Sequence, residues 1–134
     1  MEPLIIEATP KTPKVIFDPN ERLYEISGRS LPENVVKTYD PVIKWIERNL
    51  TQSKDEIVFN FKMDYLNSAS AKMISLILTK LEELYASGIK VNVKWFYHTD
   101  DDDIQSEGEI YQMLKKVPIK LIGVDDDEEE GNDF

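Results

Sequence analysis

Between Glu56 and Gly88 the spacing of the apolar residues changes once, and that change restricts the fold more than any other feature of the chain. "EIVFNFK" sets Ile57, Phe59 and Phe61 on one face and Val58 and Asn60 on the other, which is the period of a strand. The run from Ala71 then places Ile74, Ile77, Leu78, Leu81, Leu84 and Tyr85 on one stripe, with Lys72, Lys80, Glu82 and Glu83 elsewhere, and stops at Gly88. That is the period of an amphipathic helix ended by glycine, predicted from about Ser68 to Ser87. Strand followed by helix is the unit of an α/β domain with one central sheet.

The flanking sequence repeats the alternation. "LIIEA", "KVIFD" and "RLYEIS" read as three short strands separated by "TPKTP" and "DPNE". "GRSLPENVVKTYDPVIKWIERNL" carries Val35, Tyr39, Val42, Ile43, Ile46 and Leu50 at helical intervals. Ser30 and Glu33 stand at capping-box spacing with Pro32 in the first turn, so the helix is expected to begin there. Pro41 is expected to kink it or to restart it with Asp40 as a new cap. "IKVNVKWFY" alternates as a strand, an acidic loop leads to a third helix near Glu107 to Lys116, and "PIKLIGV" closes as a strand. The expectation is one mixed sheet of about five or six strands with about three helices, Ile74, Leu78 and Leu81 packing the second helix onto it.

Size and charge narrow the function. A chain of 134 residues with 41% hydrophobic content has material for one core, taken as a domain over residues 1–124. The segment 125–134, "DDDEEEGNDF", holds seven of the 26 Asp and Glu and no base, leaving 19 acids against 16 bases before it. It reads as a disordered, solvating tail. A net charge of -10 without a basic, aromatic-rich cluster argues against nucleic acid as a partner. Cysteine is absent, which excludes disulfides, thiolate metal sites and cysteine nucleophiles. The start lacks a basic region followed by a long apolar stretch, and no run of about 18 apolar residues occurs, so neither signal peptide nor membrane insertion is expected and the cytoplasm is the default.

Catalytic chemistry finds little support. The one histidine, His98, reads as a lone surface residue with no second histidine or cysteine for zinc. "DDDIQSEGEIYQ" lacks the glycine at the sixth position and the bidentate glutamate at the twelfth that a calcium loop needs, and no phosphate loop, nucleophile elbow or zinc-protease helix is present. No cofactor is called for, and the chain is not read as an enzyme.

The junction "DYLNSAS" is different. The second helix needs its orphan N–H groups met, and Asn67, Ser68 and Ser70 are all capable of doing so. A hydroxyl at that junction also lies where amide donors and the positive end of the helix dipole favour phosphate. Added phosphate brings about -1.5 to -2 charges, enough to spoil a docking surface built around a small neutral serine.

A strand, then Asn-Ser, then an amphipathic helix in a small cysteine-free domain resembles the STAS-type domains. "TPKVIFD", "ISGRSLPENVVKTYDPVIKWIERNL", "DYLNSASAKMISLIL" and "VNVKWFYHTDDDDIQSEGEIYQMLKKVPIKLI" are similar, in order, to the blocks of the SiaC family of regulatory phosphoproteins. That resemblance covers nearly all of the chain outside the acidic tail. It implies a STAS-like switch protein that, unphosphorylated, binds and activates a diguanylate cyclase and so raises cyclic di-GMP and favours biofilm growth. It further implies a Ser/Thr kinase of the SiaB type that blocks this and a PP2C-like phosphatase that reverses the block. The acceptor falls on Ser68, with Ser70 as fallback, Asn67 orienting or capping, and Tyr65 and Leu66 flanking the partner surface. Core packing accounts for Leu66 equally well. The family often has Thr then Ser where this chain has Ser68 and Ala69, so the hydroxyl type differs and a neighbour is lost. Two other readings stand beside it: an anti-sigma factor antagonist using the same phospho-switched helix, and a carboxylate-metal enzyme using Asp100 to Asp103.

Overall fold

The structure, a computed structural model, describes residues 2–125, so the expected acidic tail, apart from Asp125, lies outside the described residues. Nine elements follow in order: β1 (Leu4–Ile6), β2 (Lys14–Asp18), β3 (Leu23–Ser30), α1 (Val35–Asn49), β4 (Ile57–Leu66), α2 (Ser68–Ala86), β5 (Val91–His98), α3 (Asp102–Leu114) and β6 (Ile119–Val124). The strands form one six-stranded sheet in the order β1-β2-β3-β4-β5-β6. The first two pairings are antiparallel and the remaining three parallel, which makes the sheet mixed as expected. Each parallel neighbour is reached through one helix, and right-handed crossovers that always advance in the same direction put all three helices on one face.

The alternation read from the sequence now has a partner for each residue. Tyr24 pairs with Phe59, Ile26 with Phe61, Phe59 with Val93 and Phe61 with Trp95, so these side chains share the helix-covered face. Trp45 of α1 lies 5.2 Å from the ring of Phe17, and Tyr111 of α3 lies 5.3 Å from Trp95 in an edge contact. Ile74, Ile77, Leu78 and Leu81 of α2 are fully buried between them. Tyr85, expected on the same stripe, is 42% exposed, because Leu84 takes the inward place in that last turn. Gly88 ends α2 with φ of +103°: its N–H bonds to Tyr85 O and that of Ile89 to Leu84 O, the paired closure that a left-handed residue after a helix permits.

Two helix starts differ from expectation. α1 does not begin at Ser30: β3 runs through Ser30, which pairs with Leu66, and Asn34 caps the helix by accepting from Lys37 N at 3.0 Å. Ser30 is unavailable as a cap because its hydroxyl is buried against other side chains. Neither does Asp40 restart the helix at Pro41. α1 is one element through it, Asp40 pairs with Lys44 at 2.9 Å, and the carbonyl of Lys37 that proline leaves without a donor lies on an exposed turn where water can serve it. α3 starts at Asp102, earlier than the predicted Glu107, because the acidic run is its N-terminus: Asp101 accepts from Ile104 N at 3.1 Å, and Asp102 and Asp103 complement the helix dipole.

Candidate functional site

The site is built where β4 ends and α2 begins. β3 and β4 shift register there: Gly28, at φ +98°, pairs with Met63, but Arg29 pairs with Tyr65, so Asp64 is the extra residue of a bulge. Asp64 is thereby turned outward, with its Oδ1 3.3 Å from Nε2 of His98 at the end of β5. His98 is therefore half-buried beside a carboxylate and not the plain surface residue expected. The Arg29 guanidinium sits 5.1 Å over the exposed ring of Tyr65, while Leu66 is half-buried against the core.

Asn67 caps α2. Its backbone is extended at φ -80° and ψ 171°, and its side-chain oxygen accepts from Ser70 N at 2.8 Å. Its own N–H donates to the carbonyl of Ser30 at 3.1 Å, which ties the cap to the end of β3. Ser68 is the first helical residue and is exposed. Ser70, two positions on, is 0% exposed, and its hydroxyl accepts from that of Ser30 at 2.8 Å. Ser30 in turn lies 2.7 Å from the hydroxyl of Tyr39. Of these two serines, the bonding that fills Ser70 leaves Ser68 as the one a macromolecule can reach.

Ser68 opens onto a cleft of about 510 Å³ between the first turns of α2 and α3. Asp64 lies on its near wall, and Asp101, Asp103, Ser106 and Glu107 on its far wall; none of the lining residues is basic. Two fields therefore meet at the Ser68 hydroxyl. The N-terminus of α2 favours negative charge, and the carboxylates oppose it. Tyr111, buried in α3, ties that helix to the first turn of α2 by donating to the carbonyl of Ala71 at 3.0 Å. Burial, reinforced by the Glu107 carboxylate, pushes its phenol well above the ordinary tyrosine range.

Of the acids Asp100 to Asp103, Asp101 is the cap of α3, Asp102 and Asp103 stand in its first turn, and Asp100 lies in the turn that precedes it. Among the described residues no group of three or more His, Cys, Asp or Glu side chains is arranged to hold a metal ion, which removes the support for a carboxylate-metal site. No helix among them is long and apolar enough to cross a membrane. Asp64, Glu107, Ser30 and Tyr39 carry no signal in the sequence that assigns them to the site. Ser30 was visible as a hydroxyl in "GRSLPEN", but its spacing to Glu33 matched a cap more simply than a contact with Ser70.

The chain matches known proteins over almost its whole length. The family model for the SiaC family regulatory phosphoprotein matches residues 6–124. An uncharacterized protein of Pseudomonas aeruginosa (strain UCBPP-PA14) is 30% identical over 121 residues, covering 90% of this chain and 96% of that protein. Apo-SiaC from Pseudomonas aeruginosa superposes with a TM-score of 0.83 at 29% identity, over 91% of this chain and 99% of SiaC. SiaC bound to the diguanylate cyclase SiaD, whose activator it is, superposes at 0.84 and 27% identity, over 90% of this chain and 99% of SiaC. With the family model matched over residues 6–124 and the fold shared over nearly the whole of both chains, the chain belongs to the SiaC family of regulatory phosphoproteins.

Proposed function

We propose that this protein is a phosphorylation-switched binding protein that, unmodified, binds and activates a diguanylate cyclase and so raises cyclic di-GMP in favour of biofilm growth. The observation that carries this reading is the exposed Ser68 at the first position of α2, on the rim of a cleft, in a chain of the same shape as a protein solved with such a cyclase. A Ser/Thr kinase of the SiaB type places phosphate on Ser68, and a PP2C-like phosphatase removes it. Asn67 caps and orients the turn, and Tyr65 and Leu66 border the surface that the cyclase covers. On this reading the protein acts by contact and catalyses nothing itself. A diguanylate cyclase consumes GTP, so the encounter takes place in the cytoplasm.

The block by phosphate follows from its surroundings. It adds about -1.5 to -2 charges to a rim already lined by Asp64, Asp101, Asp103 and Glu107. Covering that rim with a partner removes these charges from water with no basic side chain in the cleft to receive them, and burying unpaired charge is costly. The test uses a diguanylate cyclase from the same cell. Ser68→Ala is expected to bind and activate it as well as the unmodified protein and to be insensitive to kinase, while Ser68→Asp binds more weakly. Equal binding by both variants, or phosphate mapped to Ser70 while Ser68 stays unmodified, rejects the reading.

A further inference from the structure

Ser30, Tyr39 and Ser70 come from β3, α1 and α2 and are all 0% exposed. Ser30 donates its one proton to Ser70 at 2.8 Å, so the proton in its 2.7 Å bond with Tyr39 comes from the phenol. Buried hydroxyls are costly unless bonded, and here each has a bonded partner inside the protein. Together with the Asn67 N–H to Ser30 carbonyl bond, they fasten the first turn of α2 from the side facing away from the cleft. From the cleft side the same turn faces four carboxylates, which would push a charged group on position 68 outward.

We infer that Ser30, Tyr39 and Ser70 are positioning residues that clamp the acceptor turn of α2, so that modification at position 68 changes surface charge on a rigid turn and does not melt the start of the helix. This rests on the reading of Ser68 as the acceptor. Helix ends are where local opening is easiest, and a turn held by the Asn67 cap alone would yield to the carboxylate wall once charged. Two kinds of switch are thereby separated. In one, order is lost and the partner loses its surface; in the other, the surface persists and only its charge turns the partner away.

Hydrogen exchange on the full chain, read amide by amide, decides between them. The Ser70 and Ala71 amides report on the turn, since they donate to the Asn67 side chain at 2.8 Å and the Asn67 carbonyl at 2.9 Å. Tyr39→Phe, which keeps the ring, is expected to speed their exchange about tenfold or more relative to Leu78 and Leu81, and Ser70→Ala to give the same local pattern. Ser68→Asp alone is expected to stay within about threefold of wild type, and to lose protection when combined with Tyr39→Phe. The inference is overturned if Ser68→Asp by itself opens the turn about tenfold, or if Tyr39→Phe accelerates all slow amides by one common factor. Phosphosite mapping run alongside tests the acceptor separately: phosphate found elsewhere removes Ser68 as acceptor, while the exchange pattern of Tyr39→Phe still decides the clamp.

Discussion

The hydroxyl of Ser30 donates to that of Ser70 across 2.8 Å, although α1 and β4 lie between them in the chain. Ser68 and Ser70 are two residues apart, and at about 100° per residue on a helix they point to nearly opposite sides. One therefore faces the core, where Ser30 and Tyr39 complete it, and the other faces the cleft. Two serines that the sequence offers as alternatives thus have different environments: an acceptor must meet a kinase, and only Ser68 is exposed.

Gly108 is expected to tolerate no side chain. An added Cβ would lie 2.6 Å from Cδ2 of Leu121 and 2.7 Å from Nε1 of Trp95, closer than real Cβ contacts come. Trp95 cannot give way easily, being 1% exposed and donating from Nε1 to the Ile104 carbonyl at 2.9 Å. Alanine would gain about 1 kcal/mol in helix propensity, against about 1–3 kcal/mol for overpacking. Three contacts under 3.0 Å put the overpacking at the upper end of that range, so Gly108→Ala should lower unfolding stability by about 2 kcal/mol in a urea titration. A variant as stable as wild type would show that α3 is free to move off the sheet.

The course of the sheet was legible because period 2 and period 3.6 segments alternate cleanly, and because each core strand has the apolar face its neighbours require. Ile57, Phe59, Phe61, Val91, Val93 and Trp95 could be placed on that face from spacing alone, and all are buried. The start of α1 is not legible locally, because Ser30 and Glu33 satisfy a capping pattern while the Ser30 hydroxyl is engaged by a tertiary bond to a residue 40 positions away. The acidic run looks like a loop in the sequence because its charges mask the capping role of Asp101. Of the site, Asn67 and Ser68 were legible as junction chemistry. The carboxylate wall was not, since Asp64 owes its position to a bulge and Asp101, Asp103 and Glu107 to the packing of α3 beside α2.

Alkaline pH should unfold the protein through its buried phenols. Burial pushes Tyr39 and Tyr111 above the ordinary tyrosine value of 10.0, with Glu107 adding to the effect at Tyr111. In the unfolded chain both ionise near that ordinary value while the folded protein keeps their protons. The unfolded state then binds fewer protons, so stability is fully present below about pH 10 and falls as pH rises beyond it, until the folded-state values are reached. Each tyrosine contributes up to about 1.4 kcal/mol per pH unit in that window. Urea midpoints measured from about pH 8 to pH 11 should decline above pH 10, and Tyr39→Phe should show a shallower decline than wild type. An identical slope in the two proteins would mean that Tyr39 ionises in the native state as freely as in water.

Charge at position 68 should be felt by the free protein before any partner is present. An aspartate at the first position of a helix gains about 0.3–1 kcal/mol from the dipole and its free N–H groups. Against that stand Asp64, Asp101, Asp103 and Glu107 on the walls of one cleft, with no basic side chain lining it. Exposed like-charge pairs cost a few tenths of a kcal/mol each, so four together outweigh the dipole, and Ser68→Asp should be less stable than Ser68→Ala by about 0.5 kcal/mol at low salt. Screening decides whether this cause is right. At about 0.5 M NaCl the Debye length falls to roughly 4 Å and the difference should largely vanish. Asp103→Asn with Glu107→Gln should reduce it at low salt as well, leaving the dipole to favour the charged residue. If Ser68→Asp is the more stable variant at every salt concentration, the helix N-terminus dominates the site, and phosphate would be held by α2 instead of being presented to the partner as unpaired charge.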